Sequence, residues 1–290
     1  MPIFLSHALV MALAAPPAKF KTNGAVLSLI DPKTRSKVVL VGAMHYNPRS
    51  VRLAREVVEQ EAAGGRLRAV AVESCETRWK EILEVQPAGS LMRALCDNEM
   101  QSATEVGEDA GAAIELVDQT IEVTCKRIAQ LFALTLVDAL TPYNGGWSRI
   151  IDDCSCAWEQ VGGDGLKADA YLDPRLLLGA PLSIVRYPLA LGLRSPVLAV
   201  LVGVTYLVFT REPADDETIV GLAGALGFAL AETIVLTRVL LVGLLEERNY
   251  VIARNIRKAC LAKPGGSVVA ILGMAHCTGV GKLLRESRIV

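Results

Sequence analysis

The chain has 290 residues, of which 52% are hydrophobic, and its 30 basic and 31 acidic side chains give a formal net charge of −1 at pH 7. This composition supplies enough apolar material for a sizeable core, and it excludes the chain-wide positive field that recruits nucleic acid. The mean hydropathy of +0.38 directs attention to membranes. Seven cysteines are scattered without a CxxC pair, which indicates a reducing compartment.

Residues 1–23 form an apolar leader. The segment "MPIFLSHALVMALAAPPAKF" has an apolar run and small residues before a Pro-Pro pair, but no Lys or Arg precedes Lys19. A cleaved signal peptide normally begins with a positively charged region. A secretory signal, a segment that lies on a membrane and a simple uncharged start therefore all stay open. His7, inside this leader, is expected to be inert.

The next elements alternate between strands and helices. "GAVLSLI" and "KVVLVGA" flank "DPKTRS", which has turn chemistry and predicts a hairpin. Asn47 and Pro48 begin a predicted helix that ends at Gly64-Gly65. "LRAVAVESC" then predicts a buried strand, and "TRWKEIL" a further helix.

The rest of the chain repeats this order around one interruption. Residues 91–110 are predicted to be helical, "AAIELVD" is a strand, and a long helix covers 120–140; near the end, "EERNYVIARNIRKACLA" is a helix, "SVVAILG" a strand and "GVGKLLRES" a closing helix. We therefore expect an α/β fold, in which helices wrap a central, mostly parallel or mixed β-sheet. Residues 24–290 form a single domain, with a loop-rich connector at 141–183.

An apolar helical insertion is predicted at about 184–245. It contains the stretches 188–209 and 219–245, which are interrupted by Arg194, Glu232 and Arg238. A bilayer requires roughly 20 predominantly apolar residues, whereas shorter runs are typical of core or interfacial helices. We expect a helical hairpin inserted in a membrane, with burial in the protein as the alternative.

Four apolar runs end in a side chain that can take part in catalysis. His45 follows "VVLVG", Glu73 follows "LRAVAV", Asp118 follows "AIELV" and His276 follows "VVAILG". The carboxyl ends of parallel strands meet at one edge of a sheet, so these side chains are expected to converge. Two imidazoles and a carboxylate suit a divalent metal ion such as Zn, Mn or Co. Such an ion supports hydrolysis.

Each carboxylate has a second interpretation. Glu73 is expected to be a metal ligand or general base that Arg78 orients, but the two residues could equally form a purely structural ion pair. Asp118 is a candidate substrate contact, and the alternative is an N-cap for the helix that begins at Thr120.

Further candidates lie on the helices that follow the strands. Arg127 is predicted to hold a substrate carboxylate or phosphate, unless it is solvated or paired with a glutamate. Glu247 and Arg248 are also candidate substrate contacts, although Glu247 has an alternative role at a helix N-terminus. Cys75 and Cys277 are expected to be small packing residues.

Several blocks resemble one known family. "VGAMHYNPRS", "AVAVESCETRW", "NEMQSATEVGEDAGAAIELVDQTIEVTCKRI", "EERNYVIARNI" and "VVAILGMAHCTGV" look like the ordered motifs of the TraB/PrgY-like family, which is related to the Tiki metalloproteases. The resemblance covers most of residues 38–128 and 246–281. It implies a fold related to the erythromycin esterases and a metal-dependent site at His45, Glu73, Arg78 and His276.

The sequence also departs from the family pattern. Gln119 stands where the family commonly has an arginine, and the apolar helices precede the second GxxH motif instead of following it. The resemblance implies a membrane-associated, peptidase-like metallohydrolase that acts on a peptide or protein and resides on the membrane of an intracellular organelle. The alternative that it implies is a non-catalytic membrane scaffold or a protein that sequesters peptides.

Overall fold

The computed structural model describes residues 21–162, 165–194, 227, 229, 233–262 and 264–286. Within these ranges the strands form one mixed sheet in the order β1-β2-β3-β6-β4-β5. Their bounds are β1 Lys21–Asn23, β2 Val26–Ile30, β3 Lys37–Ala43, β4 Leu67–Val72, β5 Ala113–Leu116 and β6 Ser267–Gly273.

Helices occupy most of the remaining described chain. Their bounds are α1 Pro48–Ala63, α2 Glu76–Val85, α3 Leu91–Leu95, α4 Glu99–Asp109, α5 Ile121–Leu140, α6 Gly146–Val161, α7 Ala168–Tyr171, α8 Pro174–Arg194, α9 Glu247–Ala262 and α10 Met274–Arg285. A 3-10 turn covers Pro142–Asn144, and a π-helix at Val239–Glu246 leads directly into α9.

The predicted α/β fold and its opening hairpin are confirmed. β2 and β3 pair in antiparallel fashion, with Leu27 opposite Leu40, while β3, β6, β4 and β5 are parallel. In the turn between β2 and β3, the buried Asp31 accepts hydrogen bonds from the backbone and hydroxyl of Thr34. The Arg257 guanidinium also donates to Asp31. The polar turn is thereby anchored to α9.

The sheet is buried because helices cover both of its faces. Alternate residues along a strand point to opposite faces, so Val39 and Val41 pack with α1 and α4, whereas Val38 and Leu40 pack with α9 and α10. This explains why β3, β4 and β6 are continuous apolar runs and not alternating ones. The central strands therefore provide a rigid base for the loops at their carboxyl ends.

The prediction of a loop-rich connector at 141–183 is wrong. α6 covers much of it, and α8 begins at Pro174. Glycine and aspartate made the segment look irregular, but Gly145 has a positive φ of 74° and precedes α6, and Gly162 is its C-cap. These breakers mark the ends of α6, whose interior is regular.

The predicted apolar insertion lies mostly outside the described residues. Residues 188–194 belong to α8, and 233–245 are helical. Of the helices within the described ranges, none is both long enough and apolar enough to cross a bilayer. Membrane insertion of 188–209 and 219–245 stays a prediction.

Candidate functional site

Three neighbouring parallel strands deliver the predicted side chains to one edge of the sheet. Ala43 at the end of β3 pairs with Gly273 at the end of β6, and Val72 at the end of β4 pairs with Ile271. His45, Glu73 and His276 follow these ends within a few residues. The predicted convergence of the two imidazoles and the carboxylate is confirmed, and β6 lies in the middle because it pairs with both other strands.

The two GxxH motifs fold differently after their glycines. His45 lies in a turn before Asn47, whose side chain caps α1 by accepting a hydrogen bond from the Arg49 backbone. His276 instead lies in the first turn of α10, for which Gly273 is the N-cap. The repeated phrase therefore gives similar positions at the sheet edge but different backbones.

The two glycines also differ in purpose. A Cβ on Gly42 would lie 2.9 Å from the Leu166 side chain, so Gly42 permits close packing. A Cβ on Gly273 would lie 3.2 Å from Glu73 Oε2, 3.4 Å from His45 Nε2 and 3.7 Å from His276 Cδ2. Gly273 thus leaves open the small space that three functional groups share.

His45 is held from behind by a buried carboxylate. Its Nδ1 lies 2.6 Å from Oε1 of Glu99, whose side chain is fully buried, and the Tyr46 backbone N–H donates to Oε2 at 3.1 Å. Tyr46 has a positive φ of 60°, a strained conformation for a bulky residue. The Glu99 contacts fix this turn, so the ring of His45 presents Nε2 to the cavity.

Glu99 also changes the protonation of His45. Burial by itself lowers the pKa of His45, but the charge and the hydrogen bond of Glu99, together with the charge of Glu73, raise it from the ordinary value of 6.5 to about 9. In the metal-free protein His45 is therefore a cation at neutral pH.

We expect Glu99→Gln to return the pKa of His45 towards 6.5. Because the folded pKa exceeds the unfolded one, protonated His45 stabilises the fold fully below pH 6.5, and this contribution is lost as the pH rises through about 9. NMR titration of the ring signals in a His7→Ala background, which leaves two histidines, measures both values. An unchanged titration of His45 in Glu99→Gln would contradict this coupling.

His276 is fixed by a neutral acceptor. Its Nδ1 lies 2.7 Å from Oδ1 of Asn249 on α9, and its Nε2 lies 3.3 Å from Oε1 of Glu73. When Nδ1 carries the proton and donates to Asn249, Nε2 and the carboxylate oxygen are both acceptors. A cation between these two acceptors would be favoured, which is the position a metal ion would take.

The predicted pairing of Glu73 with Arg78 is wrong. Glu73 Oε1 accepts a hydrogen bond from Nη2 of Arg248 at 2.6 Å, and Oε2 accepts one from the Gly273 backbone N–H at 2.6 Å. Arg78 instead donates to Asp118. Arg78 lies in the first turn of α2. From there its side chain reaches Asp118, just after β5, and not Glu73, which follows β4.

Asp118 connects the two arginines and does not cap α5. Arg248 donates to it through Nε at 3.0 Å and through Nη2 at 2.5 Å. Thr120 is the N-cap residue of α5 instead. A continuous series of ion pairs thus runs from Arg78 through Asp118 and Arg248 to Glu73. Each side chain in the series fixes the position of the next one.

This series of ion pairs keeps both carboxylates ionised. Burial by itself raises the pKa of Glu73, but His276, Arg248 and His45 lower it well below its ordinary range. For Asp118, burial is likewise outweighed by the hydrogen bonds and charges of Arg248 and by the charge of Arg78, which lower its pKa. Buried charges of this kind require partners.

The remaining candidates have other surroundings. Arg127 and Glu247 form a bidentate ion pair at 2.7–3.0 Å, outside the lining of the cavity in front of His45. This is the glutamate pairing that the sequence left open, and a substrate contact for either residue stays a prediction. Burial raises the pKa of the Cys277 thiol, which makes it a poor nucleophile.

A cavity of about 670 Å³ opens in front of these groups. The residues that line it include both histidines, Glu73, Arg248 and Arg78. The volume lies in the range of clefts that bind small ligands.

Two residues of the site were not predicted from the sequence. Glu99 and Asn249 are both completely buried and anchor the two imidazoles. Glu99 follows the N-cap residue Asn98, and an acidic residue in the first turn of α4 is also explained by its favourable interaction with the helix dipole. Asn249 lies within the resembling block "EERNYVIARNI", but its polar side chain is unremarkable on a helix. Only the packing of α4 and α9 reveals their roles.

The side chains fit a metal ion in part. Both rings are fixed at Nδ1 and present Nε2, which is the usual orientation of metal-bound histidine. However, within the ranges that the structure describes, no three histidine, cysteine, aspartate or glutamate side chains stand in position to hold one ion. Donor types and ring orientation therefore fit a divalent metal, whereas the present side-chain positions do not complete a coordination shell.

A comparison with protein-family models finds no match for this chain, and a comparison with curated proteins also finds none.

Proposed function

We propose that this protein is a hydrolase that acts with a divalent metal ion, with His45, His276 and Glu73 as the metal-binding residues. The observation that carries the proposal is the approach of His45 Nε2, Glu73 Oε2 and the His276 ring to within 3.7 Å of the open point beside Gly273. The resemblance to the TraB/PrgY-like family supports the same residues. A peptide or protein is the proposed substrate.

A bound divalent metal would activate a water molecule and polarise a carbonyl group. The residues of the chain supply the remaining functions. Glu99 and Asn249 orient the two imidazoles, and Arg248 keeps Glu73 ionised and aimed at the shared space. Glu73 is also the residue best placed to accept a proton, because its Oε2 faces that space.

The ion pairs assign Arg248 and Arg78 different tasks. Arg248 contacts Glu73 directly and only 13% of its side chain is exposed, so it positions the carboxylate. Arg78 acts through Asp118, which it shares with Arg248. Its proposed role is therefore to support Arg248. Membrane association through the apolar stretches is a separate part of the proposal.

The decisive experiment measures metal content and hydrolysis together. We expect purified protein that has been incubated with Zn²⁺, Mn²⁺ or Co²⁺ and then dialysed to retain about one equivalent of one of these ions. His45→Ala and His276→Ala should each lower the affinity at least about 100-fold, and both should abolish cleavage of a fluorogenic peptide library. His7→Ala is the matched control, because it removes the third histidine of the chain.

Two outcomes would overturn the proposal. If both histidine variants keep the metal of the parent protein, the ligand assignment fails. If metal binds as expected but no peptide in the library is cleaved, the site is a binding site, as in the non-catalytic alternative.

A further inference from the structure

The cavity in front of the polar cluster has apolar walls. Besides the ionised and hydrogen-bonded groups of the site, much of its lining is hydrocarbon and thioether. The large apolar and aromatic residues that line it, here called its walls, are Met44, Ile82, Met100, Ile121, Met274 and Tyr187. Arg78 and Glu81 line it as well and carry opposite charges. The walls therefore select for apolar groups.

Tyr187 forms an aromatic platform beside the site. Its ring is stacked on that of His45 with a centroid separation of 6.2 Å and an interplanar angle of 24°, and it meets the Tyr46 ring edge-on at 6.1 Å. Yet 46% of Tyr187 is exposed. An aromatic ring with one face supported and another surface open can receive an apolar or aromatic group.

The platform is held in a constant position relative to His45. A Cβ on Gly179 of α8 would lie 2.6 Å from the side chain of Asn47, so only glycine permits this approach. Asn47 in turn donates a hydrogen bond to the Leu176 carbonyl at 2.9 Å, and Arg186 donates to the Tyr46 carbonyl at 3.4 Å. α8 is thus joined to the turn that carries His45 at three points.

We propose that the cavity binds a substrate with a large apolar side chain, aromatic or branched aliphatic, next to the bond that is cleaved, and that Tyr187 is the residue that selects it. The identity of the cleaved bond rests on the proposed function. The binding preference does not rest on the proposed function, because it depends on the cavity walls and on the Tyr187 platform and not on an ion.

The test compares two neutral probes in the metal-free full-length protein. N-acetyl-phenylalanine amide and N-acetyl-glycine amide share the same backbone groups and differ in the side chain. We expect the phenylalanine probe to bind at least about tenfold more tightly, because burying a phenyl group contributes more free energy than a tenfold change in affinity requires. Titration calorimetry or saturation-transfer NMR measures both affinities.

Two substitutions locate the preference. Tyr187→Ala should weaken binding of the phenylalanine probe at least about fivefold and leave the glycine probe within about twofold, since an aromatic contact is worth about that much. Tyr187→Phe retains the ring and should stay within about twofold for both probes. Should Tyr187→Ala fail to fold, Tyr187→Leu, which keeps much of the volume but no aromatic ring, should still weaken binding of the phenylalanine probe more than that of the glycine probe.

The outcomes separate this inference from the proposed function. Equal affinities for the two probes, or no binding of either at millimolar concentration, would overturn the apolar selectivity. This conclusion would hold whether or not the protein binds a metal ion. An equal loss of both probes in Tyr187→Ala would overturn the role of Tyr187. If the parent protein binds no metal but still prefers the phenylalanine probe, the proposed function fails and this inference stands.

Discussion

Arg248→Met is expected to lower the free energy of unfolding by about 3 kcal/mol, the low end of the range for breaking a buried ion pair. The guanidinium serves two buried carboxylates at once, Glu73 and Asp118. Methionine fills a similar volume but leaves Glu73 buried without its arginine partner. Asp118 keeps Arg78, which limits the loss. Urea denaturation monitored by circular dichroism measures the difference.

Two control variants separate this effect from a general loss of charge. Arg127→Met breaks the ion pair with Glu247, which has a similar bidentate geometry but is about one-third exposed on both sides, so it should cost less than about 1 kcal/mol. Arg248→Lys keeps the charge without the planar fork and should fall between the two. Equal effects of Arg248→Met and Arg127→Met would refute the special role of the buried network.

The destabilisation by Arg248→Met should also depend on pH. The pKa of Glu73 lies well below its ordinary value of 4.5 in the folded protein, so its ionised form contributes stability above that value. This contribution is lost as the pH falls through the folded pKa. Without Arg248 the pKa of Glu73 in the folded protein rises, so the ionised form of Glu73 contributes less stability that acid can remove. The difference between the parent and the variant should therefore narrow in acid.

Gly273→Ala is expected to abolish metal binding and hydrolysis while the fold survives. The new methyl group would stand 3.2 Å from Glu73 Oε2 and 3.4 Å from His45 Nε2, in the space that the proposed ion requires. The backbone at Gly273 has φ −55° and ψ 138°, which alanine adopts without strain. We expect a change in unfolding free energy below about 1 kcal/mol and a loss of metal affinity of at least about 100-fold.

Gly64→Ala provides the matched control. It introduces the same methyl group at the C-cap of α1, where φ is −71° and the new Cβ would lie 3.4 Å from the backbone oxygen of Glu61. Metal affinity and hydrolysis should equal those of the parent. Full metal binding by Gly273→Ala would show that the ion, if any, lies elsewhere, and unfolding of the variant would show that this edge of the sheet tolerates no added atom.

The strand ends were predictable because they follow from short-range chemistry. Continuous apolar runs that stop at a polar residue identify β3, β4 and β6, and the carboxyl ends of parallel strands must share an edge. His45, Glu73 and His276 could be grouped on that ground alone. The capping of α1 by Asn47 was equally local, since it depends on one side chain and the backbone N–H of Arg49, two residues further on.

The partners of these residues were not predictable in the same way. Arg78 follows Glu73 closely in sequence and was the expected partner, yet Arg248 is the one that binds it, from a helix 175 positions further along. Such a pairing depends on where α9 packs against the sheet. The same holds for Glu99, which lies on α4 and reaches His45 only because α4 packs beside α1. Sequence distance is a poor guide to contact across packed layers.

The connector shows the converse error, in which local signals suggest irregularity that packing overrides. Ile150 and Ala157 of α6 are buried against neighbouring helices. Their spacing of seven positions is helical, but the glycines that flank α6 and the aspartates within it obscured this period in the sequence.

The sequence alone was enough to predict the α/β class, strands β2 to β6 with the helices next to them, and the two imidazoles and the carboxylate at neighbouring strand ends, because these depend on local periodicity and on apolar runs that stop at a polar residue. Only the tertiary structure decided which arginine holds Glu73, which groups fix each imidazole, and that Tyr187 covers His45. Those contacts join residues far apart in the chain, and the packing of helices on the two faces of the sheet brings them within reach.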